Sequence, residues 1–203
     1  MKSLTFAVLT FVVIGAIQFF RNRKRNRLAN ESGFSEIGRF LYPDDAASFD
    51  AFFTLYLADP KKFVRENEEL LEEYDFDDGE IKAIELLYIF GDMKEKVSMT
   101  DWRGEENSKE VEDFIERMMP VKPVWTNTNQ LRANSKEDDE RDGDFIIDLF
   151  KAIDKDLNAL DKKLIFYQLG WDAYVYTVVD SKTFKEITAK ASGSFVGSAK
   201  LKK

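Results

Sequence analysis

Two short segments carry the residues whose types and spacing could do chemistry: Asp101-Trp102-Arg103-Gly104-Glu105 and Gly170-Trp171-Asp172. Each sets carboxylates beside an indole at the end of a strand. If the two strand ends are neighbours, Asp101 and Asp172 can pair as general acid and base, because adjacent carboxylates push their pKa values apart, and Glu105 is a third carboxylate within reach of the same work. The same segments also offer a contact surface, made of Trp102, Arg103, Trp171 and Asp172. The plainer reading, and the preferred one, is that both indoles cap the core while the acids bond to turn backbone. Within it Trp102, next to the most apolar helix, is expected in the core. Trp171, at a hairpin tip, is expected to be at least partly exposed.

Composition removes most other chemistries. The chain has no cysteine and no histidine, so thiol and imidazole nucleophiles, Ser-His-Asp triads, Cys/His zinc sites, haem ligation by either residue and disulfides are all excluded. Neither G-x-x-x-x-G-K-[ST] nor G-x-G-x-x-G occurs. Asp78, Gly79 and Glu85 fall at positions five, six and twelve of a calcium loop, but Tyr74 and Phe76 occupy positions one and three, so a helix N-cap is the better reading. Asp138, Glu140, Asp142 and Gly143 fit the first half of that template, yet Leu149 stands where a bidentate acid is required, leaving a solvated acidic loop. No metal site and no cofactor is therefore expected. Ser181-Lys182-Thr183 lacks the spacing of a Ser-x-x-Lys nucleophile and reads as a helix cap.

The formal charge of −8 hides an asymmetry: residues 1–27 carry six basic residues and no acid, leaving 24 basic against 38 acidic groups from residue 28 onward. A surface that acidic repels nucleic-acid phosphate, so binding of DNA or RNA is disfavoured and a basic protein is the better-matched partner. Leu4 to Phe20 is a run of seventeen residues without a charge. As a helix it measures about 26 Å, at the lower edge of a membrane span, which makes the lipid bilayer the second expected partner. Lys2 precedes the run and Arg21, Arg23, Lys24, Arg25 and Arg27 follow it, against the order of a cleaved signal peptide. The same excess predicts a single-pass protein with its C-terminal side in the cytoplasm, the basic residues lying against anionic headgroups.

These features divide the chain into an anchor with its basic run (1–27), a linker (28–33), an acidic globular domain (34–193) and a flexible basic tail (194–203). Phe49, Phe52, Phe53, Tyr56 and Leu57 make one apolar face of a helix from Asp45 to Leu57. Asp59-Pro60 restarts the chain as N-cap and first helical residue, with Phe63, Leu70, Leu71 and Tyr74 as the stripe. Ile84 to Phe90 is apolar nearly all round, predicting the most buried helix, and Gly91 is expected to end it. A half-buried strand follows over 96–102. Asn107 and Glu110 then form a capping box ahead of Val111, Phe114, Ile115 and Met118. Residues 120–141 lack periodicity and read as a long loop. Beyond it the pattern predicts a helix over 142–160, a hairpin of Leu164–Leu169 with Ala173–Val179, and a last helix from Asp180 or Ser181. Strands and helices do not alternate, so the fold class is α+β: a small, mainly antiparallel sheet covered by helices, preceded by one N-terminal transmembrane helix.

The apolar helix ending Tyr88-Ile89-Phe90-Gly91-Asp92, the segment Asp101-Trp102-Arg103-Gly104-Glu105 and the hairpin over Leu164–Val179 together resemble a family of bacterial domains of unknown function. The resemblance covers about 100 residues and implies no activity. In overall profile the chain is also similar to the small acidic immunity proteins that bacteria pair with contact-delivered toxins. The leading expectation is thus a membrane-tethered interaction module, of immunity type or a subunit of a membrane complex. A carboxylate-dependent, hydrolase-like enzyme using Asp101, Glu105 and Asp172 is the alternative, and a purely structural protein the third reading.

Overall fold

The structure is a computed structural model, and it describes residues 33–74, 81–135 and 143–202. The apolar run Leu4–Phe20, the basic residues 21–27, the turn Asp77-Asp78-Gly79 and the acidic run 137–142 lie outside the described residues. Among the described residues, no helix is long and apolar enough to cross a membrane.

Four strands form one antiparallel sheet in the order β1-β3-β2-β4: β1 Ser98–Asp101, β2 Lys162–Tyr167, β3 Ala173–Asp180 and β4 Phe195–Val196. The two long strands are central and buried on both faces, which is why they read as near-continuous apolar runs. Alternation along β2 sends Ile165 and Tyr167 to one apolar cluster and Leu164 and Phe166 to the other. The first cluster packs beneath the helix over 33–41 (α1), α2 (Ala46–Ala58), α3 (Pro60–Glu66), α4 (Glu68–Glu72), α5 (Ala83–Met93) and α9 (Ser181–Lys190). The second lies under α6 (Glu110–Met118) and α8 (Gly143–Leu157), with α7 (Thr126–Asn134) alongside. This is the expected α+β class, with a helical layer on each face of a small antiparallel sheet.

Local chemistry explains most boundaries. Asp59 caps α3 by accepting the Lys62 N–H at 3.1 Å, with Pro60 at the first helical position, and Asp180 caps α9 by accepting the Thr183 N–H at 2.8 Å. The single helix expected from Pro60 onward is two, broken at Asn67, whose Nδ2 donates to the Phe63 carbonyl at 2.8 Å. Every residue of α5 from Ala83 to Gly91 is buried. Gly91 does not end that helix but lies within it: a Cβ there would stand 2.3 Å from Val97 and 2.4 Å from the Tyr42 hydroxyl. The space it leaves admits Tyr42, which donates to the Leu87 carbonyl at 2.6 Å and meets the Tyr167 hydroxyl at 2.8 Å, tying the α1–α2 junction to α5 and the sheet.

Three further expectations are corrected. The segment read as structureless over 120–141 contains α7, formed without an apolar stripe because N-terminal donors that lack partners within the helix are met by Asp156. The region read as a flexible basic tail supplies β4, whose Phe195 is 1% exposed and whose ring lies 5.0 Å from that of Tyr167. In the predicted capping box, the Asn107 N–H lies at a long 3.5 Å from Glu110, and the first turn of α6 is capped instead by Glu105, which accepts the Val111 N–H at 2.9 Å.

Candidate functional site

β1 ends, and β3 begins, at the same end of the sheet. Asp101 is paired with Ala173, and one residue further on the Trp102 N–H donates to the Asp172 carbonyl at 3.4 Å. The two strand ends are therefore neighbours, as the carboxylate pairing requires. The acids are nevertheless not cross-strand partners: Asp101 is paired with Ala173, and Asp172 lies in a bend just before β3. Both are exposed, and Asp101 accepts the Arg103 N–H at 2.7 Å in a turn of its own chain.

Glu105 has a different fate. It lies buried with Glu112 around Arg132, which donates to Glu105 at 2.6 Å and to Glu112 through both Nε at 2.6 Å and Nη2 at 2.7 Å. Burial pushes the Glu105 carboxyl up, and the Val111 N–H and Arg132 pull in the opposite direction without cancelling it. This cluster fastens α7 to α6 and to the loop after β1; it has no opening toward Asp101 or Asp172 in its bonding. A raised carboxyl with every strong bond directed to helix and guanidinium is a structural device.

The indoles divide: Trp171 is partly exposed as expected, whereas Trp102 is not in the core. Trp102 is 47% exposed rather than core, with the Arg103 guanidinium 5.4 Å over its ring. Its inner edge rests on the first residue of α8, where a Cβ on Gly143 would stand 3.0 Å from the Trp102 carbonyl oxygen. Trp171 is half-buried, its ring 5.1 Å from Tyr88 in an edge-to-face contact. Tyr88 is pushed up to about 12 by burial, with Asp92 adding to it, so it holds its proton near neutrality.

Beside Trp171 the hairpin turn and the segment after β4 enclose an open cleft of about 430 Å³, bounded by Gln168, Leu169, Trp171, Tyr174, Lys200 and Lys202 among others. No periodicity marks the last two as neighbours of the hairpin, because the strand that brings them there is only two residues long. Among the described residues no three carboxylates gather as a metal-binding group.

The fold defines an α+β domain with an antiparallel sheet between two helical layers, with Trp102 and Trp171 at the hairpin end of the sheet. Residues 34–197 match the family described as a domain of unknown function, DUF6630, and the chain belongs to that family. No curated protein and no solved structure matches it.

Proposed function

We propose that this chain is a membrane-tethered interaction module, whose acidic domain docks a basic protein at the hairpin end of its sheet. The observation that carries the reading is Trp102, a large ring left 47% exposed with Arg103 stacked on it, beside the half-buried Trp171. Exposed Trp and Arg side by side are the residue types that dominate binding energy at protein interfaces. The charge split of the sequence supplies the tether and the sign of the partner: an uncharged run and basic residues before residue 28, and an excess of acid after it. In this arrangement the run 4–20 lies in the bilayer and the domain in the cytoplasm. A carboxylate-dependent enzyme draws no support from the placement of Asp101, Glu105 and Asp172, which do not converge.

The experiment is capture by the solubilised full chain, immobilised at low salt, where charge steering is strongest. A basic protein should be retained, and Trp102→Ala with Arg103→Ala should reduce its retention at least about tenfold. Retention of nothing at low salt, or full retention by the double variant, defeats the reading. A reporter fused at the C-terminus tests the orientation; activity on the outer side of the membrane would reverse it.

A further inference from the structure

The cleft beside Trp171 differs in sign from the domain that carries it. Lys200 and Lys202 stand at its mouth, and among the described residues neither lies within 4.0 Å of a carboxylate. The backbone leading to them is held in place as far as Leu201. Ser198 donates to Asp154 at 2.6 Å, the Lys200 N–H to the Gly197 carbonyl at 3.0 Å, and the Leu201 N–H to the Ser198 carbonyl at 3.2 Å. Leu201 is extended (φ −64°, ψ 133°) and packs against the second apolar cluster, leaving the two lysines flanking it. Among the described residues, neither the Tyr174 hydroxyl nor the Gln168 side-chain amide has a hydrogen-bond partner, though both residues line the cleft. Trp171, Leu169 and Leu201 supply the apolar wall.

We propose that this cleft binds an organic carboxylate carried on an aromatic or aliphatic body, its charge received between Lys200 and Lys202, hydrogen-bonded by Tyr174 and Gln168, and its body laid against Trp171 and Leu201. The volume falls in the range of small-ligand sites. The lining holds two lysines and no arginine, so an anion there meets point charges rather than a planar fork. An extended polyanion would also meet the acidic surface beyond the mouth, whereas a single carboxylate is neutralised inside it. Two sources present that chemistry: a free small acid and the C-terminus of a polypeptide. Of the residues assigned to partner docking, only Trp171 borders the cleft.

The test is calorimetric titration of the full chain at low salt with two matched pairs of probes. One pair is 3-phenylpropionate and 3-phenylpropionamide; the other is a short peptide ending in a free phenylalanine carboxylate and the same peptide amidated. At least one acid should bind, and its amide should bind about tenfold more weakly, the scale of one partly screened charge contact. Lys200→Gln with Lys202→Gln should remove that difference while leaving the melting temperature unchanged, since both side chains are exposed. Tyr174→Phe should weaken the acid several-fold. Binding of the small acid assigns a free ligand, and binding of the peptide alone assigns a protein C-terminus. Failure of both acids, amides that match their acids, or lysine variants that bind as the parent does would each overturn the proposal. Those outcomes are separate from partner capture through Trp102 and Arg103, which take no part in the cleft.

Discussion

Trp102 donates a backbone hydrogen bond to Asp172, the residue after Trp171, yet one ring is half in water and the other half in the core. The difference lies in the turns. Asp101 accepts the Arg103 N–H, Gly104 follows at φ 125°, and the chain turns back toward Glu105 with the indole left on the outer surface above Gly143. Trp171 comes after Gly170 at φ 81° and packs its ring on Tyr88. Trp102→Ala should therefore change stability by less than about 1 kcal/mol, while Trp171→Ala should cost about 2 kcal/mol through lost ring burial. Urea unfolding of the two variants measures this. A cost at Trp102 equal to that at Trp171 would make it a packing residue and remove the aromatic contact on which partner docking rests. Sequence spacing identified both segments and left open whether the strand ends meet, and turn chemistry at Asp101 and Gly104 decided which indole faced out, which was not visible in apolar periodicity.

At the scale of elements, α7 shows why a helix can escape a sequence reading. Thr126 to Asn134 has no apolar stripe, so nothing in its pattern announces a helix. Its stability comes from groups distant in the chain. Asp156 of α8 accepts the N–H groups of Asn127 and Thr128 at 2.9 Å each, with the Asn127 amide at 2.6 Å and the Thr128 hydroxyl at 2.8 Å; Arg132 joins Glu105 and Glu112. The two ends of this polar fastening respond oppositely to pH. Burial pushes Asp156 up, but its four hydrogen bonds outweigh that and hold it below the usual carboxylate value, so its contribution is present above the unfolded value and is lost as pH falls through the folded one. Glu105 is raised, so its contribution is full below the unfolded value and declines as pH rises through the folded one. Asp156→Asn should cost about 2 kcal/mol near neutral pH and flatten the acid limb of the stability profile. Glu105→Gln, which keeps the acceptor for Val111, should flatten the limb above it. Denaturant midpoints between pH 3 and 8 test both arms, and a profile unchanged by either substitution would mean that other groups govern the pH response.

For the molecule as a whole, one sheet serves two apolar clusters, so its two central strands must be filled on both faces at once. Legibility followed from that. The long central strands and the apolar helices announced themselves by run and period, whereas β4, with two residues, offered no period to read. Its contribution to the whole is nevertheless large. Phe195 enters the first cluster, its ring 5.0 Å from Tyr167 and 6.5 Å from Phe34, while Val196 packs on the second and Ser198 bonds to Asp154 of α8. Ending the chain after Gly193 removes a fully buried phenylalanine, typically about 3 to 5 kcal/mol by itself, and leaves the edge of β2 unpaired. Against a domain stability of order 5 to 15 kcal/mol, that loss should lower the melting temperature by at least about 10 °C and broaden the transition. Phe195→Leu in the full chain separates packing from pairing: it keeps the β4 ladder and most of the apolar volume, and so should cost less than half as much. A truncated chain that melts as the full one does would show that β4 lies on the domain without holding it together, and the lysines it positions would then lack a fixed place beside the cleft.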